Sequence, residues 1–339
     1  MFNALLQDFM IDRSLLRNKI FEVDEHSFNS TALEIFHFQY ENNSVFRQFC
    51  SLLHKSPAVI STIDQIPFLP IELFKTHEIV SGHAKIQKVF TSSGTTGQQT
   101  SRHYVSDLTL YEESFLKCFQ QFYGDPEKYC VLALLPSYLE RDDSSLVYMA
   151  EHLIRKSGHS KSGFFLYNHE ELHQTLLKLE AAQQPILLIG VTFALLDFSE
   201  KFSPQLKFTR VIETGGMKGR REEITREALH ERLRNAFGIK IIYSEYGMTE
   251  LLSQAYFMDD EKFHSPNWMK VLIRDVNDPF QLVGPNKTGA INIIDLANID
   301  SCSFIATADL GKSFDDQSFE VLGRMDDSDV RGCNLMWGD

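Results

Sequence analysis

Tyr129-Cys130-Val131-Leu132-Ala133-Leu134-Leu135 carries no charge and no alternation of apolar with polar residues. A strand with one face in water alternates, whereas a strand covered on both faces does not, so this run reads as the interior of a sheet between two layers of helices. Four more short apolar runs follow it: GFFLYN (163–168), PILLIGVTF (185–193), LKFTRVIE (206–213) and IKIIYS (239–244). Amphipathic stretches lie between them. Over 142–157, Leu146, Met149, Ala150, Leu153 and Ile154 fall on one helical face and Gly158 supplies a stop. From about Arg221, Ile224, Ala228, Leu229, Leu233 and Phe237 repeat the pattern before Gly238. Strands alternating with crossover helices predict an α/β body on a mostly parallel sheet with covering helices.

Outward from this body the pattern changes on both sides. After about residue 268 the runs KVLIRDV (270–276), FQLV (280–283), AINIID (290–295), SFIAT (303–307) and FEVLG (319–323) are short and separated by Gly, Pro and Asn. They read as a C-terminal, antiparallel, β-rich subdomain. Residues 1–80 read as helical, with Phe36, Phe38, Tyr40, Phe46 and Phe49 forming an aromatic core. No flexible linker and no internal repeat interrupts the chain, so one compact unit is expected. Its cleft should open at the carboxyl ends of the parallel strands, where open α/β sheets take their ligands.

Composition narrows the function classes. Of 339 residues, 43% are hydrophobic and 23% charged, the balance of a folded globular protein. With 33 Lys and Arg against 46 Asp and Glu the net charge is −13, which opposes the basic surface that grips a phosphate backbone, and nucleic acid is not expected as a partner. The longest apolar stretch, 185–196, is shorter than the roughly twenty residues that cross a bilayer. The N-terminal MFNALLQDFMIDRS lacks the basic and apolar regions of a signal peptide, which places the protein in the cytoplasm. Cys50, Cys118, Cys130, Cys302 and Cys333 are odd in number, scattered and without metal spacing, so neither a disulfide framework nor a zinc site is expected.

Two segments carry chemistry. The first, Thr91-Ser92-Ser93-Gly94-Thr95-Thr96-Gly97, lies between short apolar strands at 88–90 and 103–105. Its glycines permit close backbone approach, and its hydroxyls and N–H groups suit phosphate oxygens. The same composition also suits an ordinary Ser/Thr/Gly hairpin turn, and no Gly-Lys-Ser/Thr ending marks it as a Walker loop. The second, Tyr243-Ser244-Glu245-Tyr246-Gly247-Met248-Thr249-Glu250, begins where IKIIYS should end. In isolation YGMTE also reads as a structural turn, but at a strand's carboxyl end Thr249 can contact a phosphate, Glu250 a Mg²⁺ ion and Tyr246 a planar ring. His83 and His103 flank the first segment within reach of a substrate, but read first as surface or hydrogen-bonded histidines, while Asp142 to Ser145 reads as helix capping rather than metal binding.

SSGTTG followed by YGMTE resembles the adenylate-forming superfamily of acyl-CoA synthetases, luciferases and peptide-synthetase adenylation domains. Thr307-Ala308-Asp309-Leu310-Gly311 and Gly323-Arg324-Met325-Asp326-Asp327 continue the agreement. Within that superfamily, Glu213-Thr214-Gly215-Gly216-Met217-Lys218-Gly219-Arg220 and Ser328-Asp329-Val330-Arg331-Gly332-Cys333-Asn334-Leu335 look like the acyl-protein synthetases of the LuxE type, with the phenylacetate-CoA ligase branch nearest to them. Both branches tend to lack a lysine after the phosphate loop, and Gln98 and Gln99 stand there in this chain. The resemblance implies ATP bound by Ser92, Ser93, Gly94, Thr95, Thr96 and Gly97. It also implies adenine against Gly215 and Gly216 with Tyr246 and Gly247 beside it, ribose hydroxyls on Asp309, and a hinge at Arg324.

The chain ends twelve residues after Asp327, where family members usually continue into a mobile lid bearing a lysine. The resemblance therefore implies an adenylation core over 1–325 without that lid, and a short hinge and arm over 326–339 carrying Cys333. In the LuxE type that cysteine is the acyl acceptor, and Arg331 supplies a nearby positive charge to favour its thiolate. Lys218, and after it Arg324, are the substitutes for the missing lysine, although Lys218 also reads as the solvated basic start of a helix. The segment 135–141 (LPSYLER) suits the lining of an acyl pocket. The expected substrate is a fatty or other apolar carboxylic acid with ATP and Mg²⁺, and the acyl acceptor is a reductase, a carrier protein or CoA. Direct acyl-CoA or acyl-carrier ligation and a catalytically inactive nucleotide-binding scaffold are the other readings. Thr249, Glu250, Asp309 and Arg324 speak against the scaffold.

Overall fold

The computed structural model describes residues 12–92, 99–135, 142–215 and 224–325. They fall into two compact units, one built from 86–266 with 314–321, the other from the residues up to 85 with 267–313 and those from 322 onward.

The first unit is the α/β body. Gly163–Phe164, Cys130–Leu134, Ile186–Gly190, Thr209–Glu213 and Tyr243–Tyr246 lie side by side in that order, all parallel. Ala255–Phe257 and Phe263–His264 extend the sheet antiparallel, and Phe263 pairs in turn with Phe319. Every residue of Cys130–Leu134 and of Ile186–Gly190 is buried, as their unbroken apolar runs predict. Ala150, Leu176, Leu195 and Leu233 from the helices Ser145–Ser157, His169–Ala181, Thr192–Lys201 and Arg226–Phe237 join the same core. Burying such aliphatic side chains at about 1.5–3 kcal/mol each is the main force holding helices to sheet.

Element boundaries depart from the sequence reading where local capping decides. The helix expected from about Arg221 runs from Arg226, because the Thr225 side chain accepts the Ala228 N–H and fixes the start there. Likewise the helix expected over 142–157 begins at Ser145, capped by Ser144, and ends at Gly158. The run IKIIYS is displaced. Ile242 is buried in the core, but pairing with the neighbouring strand begins only at Ile212↔Tyr243, so the strand is Tyr243–Tyr246 and reaches into the motif. GFFLYN contributes just Gly163–Phe164, at the end of the strand order.

The second unit joins the N-terminal helices to the β-rich segment. Leu282–Val283, Met269–Arg274, Thr288–Asp295 and Phe304–Ser313 are antiparallel neighbours, and Leu69–Pro70 pairs parallel with the last of them. Phe36 meets Phe46 edge-on at 6.0 Å, and Phe46 stacks on Phe304 at 5.9 Å. The expected aromatic core is therefore present, with Tyr40 and Phe49 half-buried at its margin. Polar contacts fasten the two parts. Buried Gln39 donates to the carbonyls of Asn298 and Ile299 at 2.9 and 3.0 Å and accepts the Ser303 N–H at 3.0 Å. Arg13 grips Asp300 through two nitrogens at 2.6 and 2.5 Å. Trp268 is buried with its ring 4.9 Å from Phe21, edge to face. Among the described residues no helix is long and apolar enough to cross a membrane.

Candidate active site

In the α/β unit the first motif sits on a hairpin. Lys88–Thr91 and Arg102–Val105 pair antiparallel with Thr91 opposite Arg102. Beyond them the Ser92 N–H donates to the Ser101 carbonyl at 3.1 Å, and the Ser101 N–H returns to Ser92 Oγ at 2.9 Å. Asp143 secures the same point, its carbonyl accepting the Thr91 N–H at 2.9 Å and its carboxylate accepting the Thr91 hydroxyl. Ser92 thus stands at the mouth of the hairpin, while Ser93, Gly94, Thr95, Thr96 and Gly97 lie outside the described residues.

The second motif leaves the sheet at its carboxyl end. Tyr246 pairs with Ala255 on the neighbouring strand, and its ring meets Phe319 and Phe263 at 5.7 and 5.9 Å. Gly247 follows, and a Cβ there would meet the tip of the Glu245 side chain, which would have to rotate away. The chain then turns, with the Leu251 N–H donating to the Met248 carbonyl at 3.1 Å, and presents a partly exposed Thr249 beside a buried Glu250. His103 braces this turn from the hairpin: its Nδ1 is 2.8 Å from the Thr249 carbonyl and must donate, since a carbonyl only accepts. Burial drives the His103 pKa down to about 4 against the opposing effect of that bond, so the ring is a neutral donor near pH 7.

Next along the sheet, Thr209–Glu213 ends beside Tyr243–Tyr246, with Glu213 opposite Ser244. The buried Glu213 carboxylate accepts the Gly215 N–H at 2.7 Å and the Thr192 hydroxyl at 3.0 Å. Burial alone would raise its pKa, but His230, Ser244 and the Gly215 N–H outweigh that cost and hold the carboxyl below its ordinary value. His230 Nε2 stands 3.9 Å from Glu213, too far for a strong hydrogen bond, and 3.0 Å from Ser244 Oγ, where it makes one. Glu213 thereby sets the turn that delivers Gly215, whose φ is +71°. Adjacent Thr214 has its Oγ1 buried, with no hydrogen-bond partner among the described residues. Gly216 and Lys218 lie outside the described residues, as does Cys333.

Asp309 and Arg324 belong to the second unit. The Asp309 side chain is largely buried and Arg324 Nε lies 3.7 Å from its carboxylate, while Arg324 itself is 83% exposed. An ion pair so solvated is worth at most about 1 kcal/mol and does not fix Asp309. The backbone does. Thr307, Ala308 and Asp309 lie where the register of the strand slips against Thr288–Asp295. There the Asp309 N–H donates to Thr307 Oγ1 at 3.1 Å, and the Met325 N–H to the Ala308 carbonyl at 2.7 Å.

A model of the family described as acyl-protein synthetase, LuxE, matches residues 5–339. The chain belongs to this family. A long-chain-fatty-acid–luciferin-component ligase of Aliivibrio fischeri is 22% identical over 349 residues, covering 93% of this chain and 89% of that one. A 2-hydroxyisobutyryl-CoA ligase, solved with 2-HIB-AMP and CoA, superposes with a TM-score of 0.68 at 12% identity over 91% of this chain and 71% of its own. ATP-bound MatB from Rhodopseudomonas palustris superposes at 0.53 with 16% identity over 72% and 49%. These likenesses establish the adenylate-forming fold that the motifs implied, and the LuxE membership makes the chain a ligase of the acyl-protein synthetase type.

Three residues of this LuxE-family chain do more than the sequence marks them for. His103 was legible as a hydrogen-bonded histidine but not as the brace of Thr249. Glu213 closes the strand run LKFTRVIE and opens the ETGGMKGR motif, but nothing in the sequence marks it as the buried carboxylate that organises the Gly215 turn. Arg274 interrupts the strand run KVLIRDV, and a charge at a buried strand position is the one sign of its work.

Proposed function

We propose that this LuxE-family chain uses ATP to activate a carboxylic acid of the fatty class and captures the acyl group on Cys333. In the first step a substrate carboxylate oxygen attacks the α-phosphorus of ATP, the bond to the pyrophosphate oxygen breaks, and an acyl-adenylate forms. In the second, the Cys333 thiolate attacks the acyl carbon, the acyl–phosphate bond breaks, and AMP departs with the electron pair. The thioester is then handed to a reductase, a carrier protein or CoA. The reading assigns 1–325 to the adenylation core and 326–339 to the arm that presents Cys333.

The observation that carries it is the turn at the carboxyl end of Tyr243–Tyr246, where a hydroxyl, Thr249, and a buried carboxylate, Glu250, are held side by side by the neutral His103. Next to Gly215, the buried Thr214 Oγ1, which has no hydrogen-bond partner among the described residues, is a polar group that a bound nucleotide can satisfy. Glu250 suits Mg²⁺ rather than a caged metal: no group of three His, Cys, Asp or Glu gathers among the described residues, and Mg²⁺ takes one or two carboxylates while keeping water and phosphate oxygens. Bound with ATP, Mg²⁺ would neutralise the charge that builds on the transferring phosphates. Thr249 and Ser92 contact phosphate oxygens in this reading, Tyr246 and Gly215 flank the adenine, and Asp309 holds the ribose hydroxyls. Arg324 and Lys218 supply positive charge. The fatty class rests on the A. fischeri relative, whose name specifies a long-chain fatty acid.

Acid-dependent ATP–pyrophosphate exchange across a panel of carboxylic acids tests the first step, with the longer apolar acids expected to support it best. Labelling with a radioactive acid plus ATP tests the second. Cys333→Ser should keep exchange and lose hydroxylamine-sensitive label, because a serine hydroxyl is a far weaker nucleophile near neutral pH. Label that persists on Cys333→Ser moves the nucleophile elsewhere, and a wild-type protein that exchanges but never labels passes the acyl group directly to CoA or a carrier.

A further inference from the structure

We propose that Arg274 is the positioning residue for Asp309: its guanidinium bridges the two strands across the bulge at Thr307–Asp309 and so fixes where the Asp309 carboxylate points. The proposal rests on the nucleotide-binding reading of Asp309 given above.

The ladder between Thr288–Asp295 and Phe304–Ser313 pairs Thr288↔Lys312, Gly289↔Gly311 and Ala290↔Leu310, then resumes at Asn292↔Ala306, Ile293↔Ile305 and Ile294↔Phe304. Ile291 on one strand therefore faces Thr307, Ala308 and Asp309 on the other, two residues more than regular pairing allows. A bulge of this kind re-aims side chains and deprives backbone groups of their cross-strand partners. Left buried and unpaired, each such group costs about 1–3 kcal/mol.

Arg274 fills the gap from the opposite neighbour. It ends the strand Met269–Arg274, which pairs with Thr288–Asp295 at Ile273↔Ile291 and Arg274↔Ala290. Its Nη1 donates to the Ile291 carbonyl at 2.6 Å and to Asn292 Oδ1 at 2.7 Å, and its Nη2 donates to the Thr307 carbonyl at 2.6 Å. One planar fork thus ties the lone residue on the short side of the bulge to the first residue on its long side. Thr307 completes the arrangement, its hydroxyl donating to the Ile291 carbonyl at 2.9 Å and accepting the Asp309 N–H at 3.1 Å.

The side chain is out of place for a purely structural strand. Arg274 is 6% exposed, and among the described residues no carboxylate forms an ion pair with it. Burial presses its pKa below the ordinary value, with the fields of Glu72 and Asp309 acting against that. A buried guanidinium is costly unless its donors are satisfied, and here three oxygens meet it. Lysine cannot substitute, since an ammonium is a point charge without the fork that spans two strands.

Calorimetric binding of ATP, 2′-deoxy-ATP and 3′-deoxy-ATP reads the position of Asp309 without requiring turnover. The wild type should prefer ATP. Arg274→Met should erode that preference by about tenfold, the net worth of one ribose hydrogen bond, and Arg274→Lys should restore folding but not the preference. In an Asp309→Ala background, Arg274→Met should change the preference no further, because the two act as one unit. Should Arg274→Met not fold, Thr307→Val removes two bonds of the same bulge at nearly constant volume and should erode the same preference. A folded Arg274→Met or Thr307→Val protein with wild-type discrimination overturns the role of Arg274 alone. A wild type that binds no ATP, or binds the three nucleotides equally, overturns the nucleotide reading of Asp309 and the role of Arg274 with it.

Discussion

Glu250 and Asp309 are delivered by opposite means. Glu250 comes from a turn just past the end of a parallel strand, where the ladder has already stopped and no cross-strand bond is given up. Asp309 comes from within the antiparallel strand Phe304–Ser313, at a bulge that opens the ladder. The braces differ accordingly. One carbonyl of the Glu250 turn needs a single donor, and neutral His103 supplies it. The Asp309 bulge needs several donors at once, and a charged fork, Arg274, supplies three. A side chain placed at a strand end is cheap to position, whereas the one placed by this bulge depends on a buried charge.

The largest effect that would sharpen this contrast is chemical. Glu250→Gln should lower kcat for ATP–pyrophosphate exchange by about 10²–10³-fold with little change in the KM for ATP, because charge grows at the phosphates only toward the transition state. A variant with normal kcat and a raised KM would remove the metal role. Next come two glycines that sit under close approach. At Gly289, a Cβ would meet the backbone carbonyl of Arg274, which cannot move without the strand, and at Gly247 it would meet the tip of the Glu245 side chain, which can rotate away. Denaturant unfolding should therefore find Gly289→Ala destabilising by roughly 2–3 kcal/mol and Gly247→Ala by about 1 kcal/mol or less. The reverse order would break the comparison.

The remaining effects are in pH, and they belong to the α/β unit. His103 has its pKa depressed to about 4 from 6.5, so the unfolded chain binds more protons between those values. Its contribution to stability is present above about pH 6.5 and is lost as pH falls toward 4. Glu245 runs the other way. Burial first, and the charge of Glu213 second, push its pKa up to about 8 from 4.5, so the native state holds the extra proton. Its contribution is present below about 4.5 and is lost as pH rises toward 8. Tm measured across pH should fall on both sides, His103→Leu flattening the acid limb and Glu245→Gln the alkaline one. Arg274 keeps its proton throughout this range, so Arg274→Met should lower Tm by a similar amount at every pH. An Arg274→Met penalty that varied with pH would show that a titrating group, rather than the fork, holds the bulge.

Much of this was legible beforehand for physical reasons. Continuous burial leaves an unbroken apolar run, so Cys130–Leu134 and Ile186–Gly190 announced the parallel sheet. Glycines and hydroxyl-rich turns have few substitutes where backbone must approach closely, so YGMTE and TADLG stood out. What escaped was the pairing of distant polar groups. Gln39 with Asn298 and Ser303, or Arg13 with Asp300, leaves no periodic trace in either segment, and the union of the N-terminal helices with the β-rich strands rests on such contacts. Register is equally silent. SFIAT and AINIID look like plain strands in the sequence, and the two additional residues at Thr307–Asp309 emerge only when the strands are set side by side. Strand onset slipped for a related reason, since Ile242 is as buried as a strand residue yet precedes the first ladder pair.

The burial of Trp268 against Phe21 gives the protein a built-in optical label. The sequence holds two tryptophans, Trp268 and Trp337, and the latter lies four residues past Cys333. In Trp337→Phe all indole emission comes from Trp268, so its blue-shifted, poorly quenched fluorescence follows the unfolding of the antiparallel unit alone. Subtracting that spectrum from the wild-type spectrum isolates the light emitted by Trp337, a reporter beside the thiol proposed to carry the acyl group. A stopped-flow trace of the difference during turnover would time the loading and unloading of Cys333 without any added dye.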